Sequence, residues 1–297
     1  MIAAITNYYN PANRPEKLKN YQTFRERLGD IPLYVVEAAF GDQPFVLDKD
    51  PNTIQVRCEH VIWQQYTLIN LGIQKLPDKY DKAVWVDADI IFDDPDWVYK
   101  MSQLLDQYKV AQSYSTITMD VPNGKGDTFL SVAKKAIENA AKPVSELFHE
   151  NLDLDKRFAS GFSWGVQRDV IEKHRIYDYW ITGSCDTAFI IAIWGDYENM
   201  FFRRMNEKMR KHYMEWAIPF HEYVNHSVGC LETHIHHLWH GYRNYRKRWL
   251  CLKDMDPYED IEVGENGCLR WRTAKPDLHR MCEHMCKEYD IDFKPIL

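Results

Sequence analysis

Asp-x-Asp triplets occur at six places in this chain, at 48/50, 87/89, 94/96, 153/155, 254/256 and 290/292. Five lie in polar, turn-like surroundings, where a solvated loop accounts for them. Asp87 and Asp89 differ: they sit in the run VWVDADIIF (84–92), apolar on both sides. Carboxylates in such a setting are costly to bury without a cation or hydrogen-bond donors. On an extended segment residues i and i+2 point the same way, so both carboxylates are expected to reach one site. Oxygen ligands of this kind suit Mg²⁺ or Mn²⁺. A divalent ion held there could bridge two phosphates and neutralise a departing diphosphate. The plainer alternative is a pair of aspartates at a strand end that cap the following turn.

A second concentration of chemistry lies at HIHHLWHGYRNYRKRW (234–249). His234, His236, His237 and His240 fall within seven residues, followed by Gly241, Arg243, Arg246 and Arg248. A lone histidine is usually structural, but four beside a glycine and three arginines point to a site. Guanidinium matches phosphate geometry, so Arg243 and Arg246 are candidates to hold a β-phosphate. The alternative is a basic amphipathic helix on the surface. Asp186, in GSCDTAFIIAIWG (183–195), stands where a helix is expected to begin and where the macrodipole favours a carboxylate. It reads either as an ordinary helix acid or as an acceptor-side residue and general base. Near the end of the chain His279, Cys282, His284 and Cys286 cluster. Cys282 and Cys286 can share a helical face, but the spacing is not a standard zinc pattern.

These residues need elements to position them. The apolar run 1–6 ending in NYYNP, and the run 32–39 closed by Gly41, predict buried strands with a helix over 18–28 between them. That order opens a parallel α/β sheet. Ile62, Tyr66, Ile69, Ile73 and Leu76 recur at steps of three and four and predict one face of a helix stopped by Pro77. A strand over 83–86 then delivers Asp87 to its carboxyl end, where open α/β sheets bind ligands. Further along, 98–108 predicts a helix and 110–118 a strand. The stretch 121–127 reads as turns and 128–141 as a helix. A strand follows over 160–167, then helices over 187–196 and 201–216, and a short helix over 276–289. The fold class expected is mixed, mainly parallel α/β with helices on both sides: one domain with a C-terminal extension from residue 251.

The 297 residues are 45% hydrophobic, 27% charged and 14% aromatic, an ordinary globular composition. The formal net charge of −7 argues against non-specific nucleic-acid binding. The charge is uneven: 201–249 holds nine Lys/Arg and four Asp/Glu, about +5, leaving about −12 elsewhere. Arg203, Arg204, Lys208, Arg210 and Lys211 lie on the predicted helix there and read as a broad solvated surface, with contact to a polyanionic acceptor as the alternative. Seven cysteines at irregular spacings fit reduced thiols. No basic, apolar leader opens the sequence and no apolar run reaches membrane-spanning length, so a soluble, cytoplasmic protein is expected.

The order strand, helix, strand, then VWVDADIIF resembles the nucleotide-binding half of GT-A glycosyltransferases with an Asp-x-Asp motif. The stretch IWQQYTLINLGIQKLPDKYDKAVWVDADIIF (62–92) is similar to a bacterial and phage group of them. The resemblance reaches to about Trp249. It implies residues 1–120 as the nucleotide-sugar-binding half and 121–250 as the acceptor half of one domain, with 251–297 as the extension. It implies a nucleotide-sugar donor, UDP-linked, and Mn²⁺ or Mg²⁺. Asn7, Tyr8 and Glu37 would frame the nucleoside with Arg57 nearby, and Asp87 and Asp89 would bind the metal and diphosphate. His240 is preferred as a third metal ligand, with His237 as its alternative. Asp186 would face the acceptor, and Trp164 would help line the acceptor pocket. Many relatives carry a basic residue where Gln64 and Gln65 stand, so a charged donor contact would have to come from elsewhere.

The acceptor stays open among glycans, lipids, proteins, small molecules and a modified nucleic-acid base. Inverting and retaining transfer both stay open. A sugar-nucleotide pyrophosphorylase should carry a Gly-rich phosphate loop with a Lys or Arg after its first strand, and NYYNPANRP is not one. An Asp-x-Asp phosphatase would carry its motif at the first strand. A non-catalytic sugar-nucleotide-binding module would not need the intact Asp87/Asp89 pair and the His-Arg segment.

Overall fold

Strand β1 (Ile2–Tyr9) is apolar on both faces, and the fold explains why. Ala3 and Ile5 belong to one hydrophobic core, Ile2 and Ala4 to another on the opposite side of the sheet. A parallel strand covered by helices on both sides reads as a continuous apolar run rather than an alternating one. The computed structural model describes residues 1–139, 158–183, 185–197, 205–241 and 250–287. Along them follow α1 (Pro15–Leu28), β2 (Leu33–Phe40), β3 (Thr53–Cys58), α2 (Gln65–Gln74), β4 (Lys82–Val86), β5 (Ile90–Phe92), α3 (Trp97–Leu104) and β6 (Val110–Gln112). Then come β7 (Thr116–Val121), β8 (Gly124–Ser131), α4 (Val132–Glu138), β9 (Phe158–Ala159), β10 (Ser163–Gln167), α5 (Arg168–His174), α6 (Cys185–Trp194) and α7 (Glu207–Val224). The described chain closes with β11 (Val228–Cys230), β12 (His234–His237), α8 (Leu250–Asp254), β13 (Ile261–Val263), β14 (Leu269–Trp271) and α9 (Pro276–Lys287).

A seven-stranded sheet runs β11-β6-β10-β4-β1-β2-β3, and β10 alone lies antiparallel to its neighbours. The architecture is thus mixed α/β with a mainly parallel central sheet flanked by helices. From β1 the chain goes to β2 on one side and later to β4 on the other, so the strand order reverses between β1 and β4. A crevice for ligands forms at such a switch point, beyond the carboxyl ends of the strands. Thr6 donates its hydroxyl to the Val86 carbonyl at 2.7 Å and ties those two ends together. Helix α2 covers this seam. Gly72 lets it approach: a Cβ there would meet Ile5 Cγ2 at 2.8 Å and Val36 Cγ2 at 3.3 Å.

A second sheet, β5-β12-β7-β8-β9, stands beside the crevice. Here the structure departs from the sequence expectations. The predicted strand 110–118 is two strands in two different sheets, β6 and β7. Residues 121–127 and the start of the predicted helix 128–141 form the β7/β8 hairpin instead. The helix starts only at α4, where the Ser131 hydroxyl caps Lys134 N–H at 3.1 Å. The predicted helix 201–216 begins later, with Asn206 capping Met209 N–H at 2.8 Å, and runs through Pro219 to the left-handed Asn225. Strand β3 has no counterpart among the expectations.

Described residues beyond 250 share the main core. Cys251, Met255, Ile261, Leu269, Trp271, Leu278 and Cys282 are all buried in it. Cys268 lies against Cys58 of β3, sulfur to sulfur at 2.8 Å. Cys282 and Cys286 do share one face of α9, turned into the core, with Cys282 against Cys251. His279 stacks on Trp271 at 4.4 Å. These four Cys/His residues do not converge as a ligand set among the described residues. No described helix is long and apolar enough to cross a membrane.

Candidate functional site

Asp87 and Asp89 follow β4 at the switch point. The segment is a turn rather than an extended continuation, with Ile90 N–H bonded to the Asp87 carbonyl at 3.2 Å. The turn separates the two side chains. Asp87 Oδ1 accepts from Gln65 Nε2 at 2.6 Å, at the start of α2. Asp89, only 8% exposed, turns toward two histidines. His237 Nε2 lies 3.7 Å from Asp89 Oδ1, and His240 Nε2 lies 3.4 Å from Oδ2.

The second sheet makes that meeting. Strand β12 pairs antiparallel with β5, placing His237 opposite Ile90. The ladder continues one residue further, Leu238 N–H to the Asp89 carbonyl at 2.9 Å. The imidazoles stand 5.0 Å apart, centre to centre. One donor atom from each of Asp89, His237 and His240 lies within 4.8 Å of the others. Metal–ligand lengths of about 2.0–2.2 Å put neighbouring ligand atoms about 3 Å apart, so small side-chain adjustments would close this set around one ion. A buried carboxylate facing two imidazoles fits a divalent cation. His237 and His240 are therefore brought together, where the sequence offered them as alternatives.

Asp186 stands in the first turn of α6, as expected. Tyr66 of α2 donates its hydroxyl to Asp186 Oδ1 at 2.7 Å. Burial, and then the charge of Asp186, hold the Tyr66 phenol well above its ordinary pKa, so it remains a donor. The charge of Asp87 acts on the same phenol. The two aspartates also flank one short loop. A Cβ on Gly161 would meet Asp186 Oδ2 at 2.7 Å, while the next carbonyl, Phe162, accepts Asp87 N–H at 2.8 Å. Tyr114 supports the loop by donating to the Gly161 carbonyl at 2.9 Å. Phe162 has φ +76°, a conformation that costs a bulky residue on the order of 1–3 kcal/mol. Its ring lies 5.1 Å from His237. The strain places an aromatic face between the Asp87 turn and the histidine pair. Nothing in the sequence signals this, since a positive φ would be sought at Gly161.

Other predicted residues have well-defined places. Asn7 donates to the Gln65 carbonyl at 3.1 Å. Tyr8 is buried against Tyr21 and accepts from Asn10. Glu37 is buried, and its carboxylate accepts Val46 and Leu47 N–H and the Gln55 amide. Arg57 donates to the Gly41 and Gln43 carbonyls and lies over the Phe45 ring. Gln64 accepts Leu269 N–H at 2.8 Å, so it anchors the tail. Trp164 is fully buried, packed edge-on to Phe189, with its indole N–H given to the Ser160 carbonyl, and belongs to the main core. Arg243 and Arg246, like Arg203 and Arg204, lie outside the described residues.

No protein-family model matches the chain, and no curated protein matches it. Solved structures give distant likenesses. The catalytic domain of Drosophila beta1,4-galactosyltransferase 7, complexed with xylobiose, aligns at 10% identity over 95% of this chain and 98% of its own, with a TM-score of 0.39. Glucosyl-3-phosphoglycerate synthase from Mycobacterium tuberculosis, complexed with Mn²⁺, UDP-glucose and phosphoglyceric acid, aligns at 9% identity over 91% of this chain and 86% of its own, with a TM-score of 0.41. The functional reading below therefore rests on the geometry of the site.

Proposed function

We propose that the protein is a GT-A-type glycosyltransferase that moves a sugar from a UDP-linked donor to an acceptor hydroxyl. The observation that carries this reading is the convergence of Asp89, His237 and His240 at the switch point, with Asp186 across the Gly161–Phe162 loop. Asp89, His237 and His240 would hold a divalent ion, Mn²⁺ rather than Mg²⁺ because two of the three donors are imidazoles. Bound there, the ion would offset the charge that builds on the departing diphosphate. Asp87 would sit beside the donor, oriented by Gln65. Asn7 and Tyr8, at the carboxyl end of β1, would border the nucleoside. Glu37 and Arg57 would act indirectly, by fixing the 41–47 loop. Arg243 and Arg246 would reach the diphosphate from the segment after Gly241, whose φ of +103° turns the chain.

Asp186 would take the proton from the acceptor hydroxyl in an inverting transfer. Tyr66 would orient it by its hydrogen bond to Oδ1. On α7 Lys208 pairs with Asp256 and Lys211 lies 3.9 Å from Glu215, which favours a solvated surface for these two cations over contact with a polyanionic acceptor.

The direct test is UDP release from UDP-glucose and UDP-galactose. Release is expected with Mn²⁺, to stop on adding EDTA, and to return with excess Mn²⁺. Release of UTP in the presence of pyrophosphate, with no UDP, would instead assign a pyrophosphorylase.

Gly161→Ala should expose the role of Asp186 without touching a charge. The new methyl would displace the carboxylate, and a misplacement of about 1 Å can cost about 10²-fold in rate. A fall in kcat of that order with UDP-sugar Kd unchanged is expected. A variant with normal kcat would remove Asp186 from the reacting centre.

A further inference from the structure

Strand β12 carries histidines on both of its faces. His237 turns with Ile235, which is fully buried, toward the crevice side. His234 and His236 alternate onto the opposite face, away from Asp89. There they meet Asp93, the first residue after β5. Asp93 N–H donates to the His234 carbonyl at 3.1 Å, which fixes its position at the strand end. Its Oδ1 lies 3.1 Å from His236 Nε2. The two imidazoles stand 4.8 Å apart at 80°. One donor atom from each of Asp93, His234 and His236 lies within 4.8 Å of the other two. We infer that this outer face of β12 is a second metal site, for Zn²⁺ or a similar first-row divalent ion that favours imidazole.

The donor set and its supports both argue for an ion rather than a simple His–Asp pair. Two imidazole nitrogens and one carboxylate oxygen match the three-ligand pattern of open zinc sites, which leave the fourth position to water. Imidazole donors select zinc-like ions over the magnesium class. Asp120 approaches from β7 on the other side of that ring, its Oδ1 4.0 Å from His236 Nδ1, a distance that a small side-chain shift would close to a hydrogen bond. Ligating histidines characteristically give their other N–H to such a partner. His234 is held in the same way. Thr116 Oγ1 lies 2.7 Å from Nδ1 and can accept its proton, which assigns the Nε2 lone pair to the ion. Thr118 Oγ1, 3.0 Å from that Nε2, lies 2.7 Å from Thr128 Oγ1 and can turn its own proton there. Parallel pairing of His234 with Thr116 and His236 with Thr118 makes this support part of the sheet itself.

The site stands independently of the glycosyltransferase reading. An ion bound only to the folded chain stabilises it by mass action. It would also clamp β5, β12 and β7 together, and β12 carries His237 on its inner face.

The test uses the full chain, stripped by chelator, dialysed against Zn²⁺ and assayed for bound metal, with Co²⁺ as a spectroscopic substitute. With Asp89→Ala, His237→Ala and His240→Ala combined, about one zinc per chain is expected to remain. Its Co²⁺ form should show visible bands of imidazole-bound metal. Adding His234→Ala and His236→Ala should remove both signals. Asp93→Asn, which keeps both rings, should weaken binding by about 10-fold or more. In the chain with the inner cluster intact, His234→Ala/His236→Ala should lower bound zinc by one equivalent with a cooperative melt retained, so the result does not depend on the triple variant folding. Bound zinc unchanged by His234→Ala/His236→Ala in either background, or an Asp93→Asn chain that binds as tightly as its parent, would overturn the inference.

Discussion

Asp89→Ala is expected to abolish sugar transfer, by on the order of 10³-fold in kcat/KM, comparable to removing a main electrostatic support of a transition state. The variant removes the carboxylate that both His237 and His240 face, at 3.7 and 3.4 Å. The fold should survive. Asp89 is 8% exposed, and loss of a buried charge relieves a desolvation cost. Its backbone bond to Leu238 does not need the side chain. His240→Ala should weaken UDP binding chiefly when Mn²⁺ is present, because the lost contact is to the ion. Calorimetry with and without Mn²⁺ reads that difference directly. Asp87→Ala should also lose activity. Part of its UDP affinity loss should persist without metal, since Asp87 is held by Gln65 at the start of α2. Near-wild-type turnover by Asp89→Ala at saturating Mn²⁺ would remove the metal reading of the inner cluster.

How much of this was legible in the sequence depended on where each residue sits. Strands β1, β2 and β4 could be read because cores cover both their faces and write long apolar runs. The face of α2 could be read because Ile62, Tyr66, Ile69, Ile73 and Leu76 are all buried. The helix itself is shorter, Gln65–Gln74, since i→i+3 bonds at Lys75 and Leu76 tighten its end. Strand β3 was missed because it is an edge strand, largely half-exposed, with mixed side chains. The β7/β8 hairpin was missed because its strands pair only with each other and with short partners. Gly124 and Gly126, which read as loop residues, fall within β8 or at its turn. At the site, apolar context singled out Asp87 and Asp89, but only the β12/β5 register decides which of them faces histidine. The burial of Trp164 was not legible because an aromatic on a strand beside a cleft and one in the core carry the same sequence signal. The outer trio escaped because Asp93 is separated from His234 by 141 positions and joined to it only by sheet pairing.

Asp186→Asn is expected to leave UDP-sugar binding within about twofold and to lower transfer by about 10²–10⁴-fold, the range for loss of a general base. The separation follows from geometry. The metal cluster lies with Asp89 on the β5/β12 side, whereas Asp186 begins α6 and packs against Gly161. The amide keeps the shape of the carboxylate, so Tyr66 can still donate to its oxygen, and the melting temperature should barely move. What the amide cannot do is accept a proton at the working pH. Tyr66→Phe separates positioning from proton transfer. It leaves the carboxylate in place but removes its orienting donor, so kcat should fall by a smaller factor, about 10-fold. Steady-state kinetics with saturating donor, joined to calorimetric UDP-sugar titrations of the same variants, distinguish the outcomes. If donor affinity collapsed in Asp186→Asn while transfer at saturating donor survived, Asp186 would belong to the donor pocket. A retaining transfer, which needs no such base, would then be the mechanism consistent with the site.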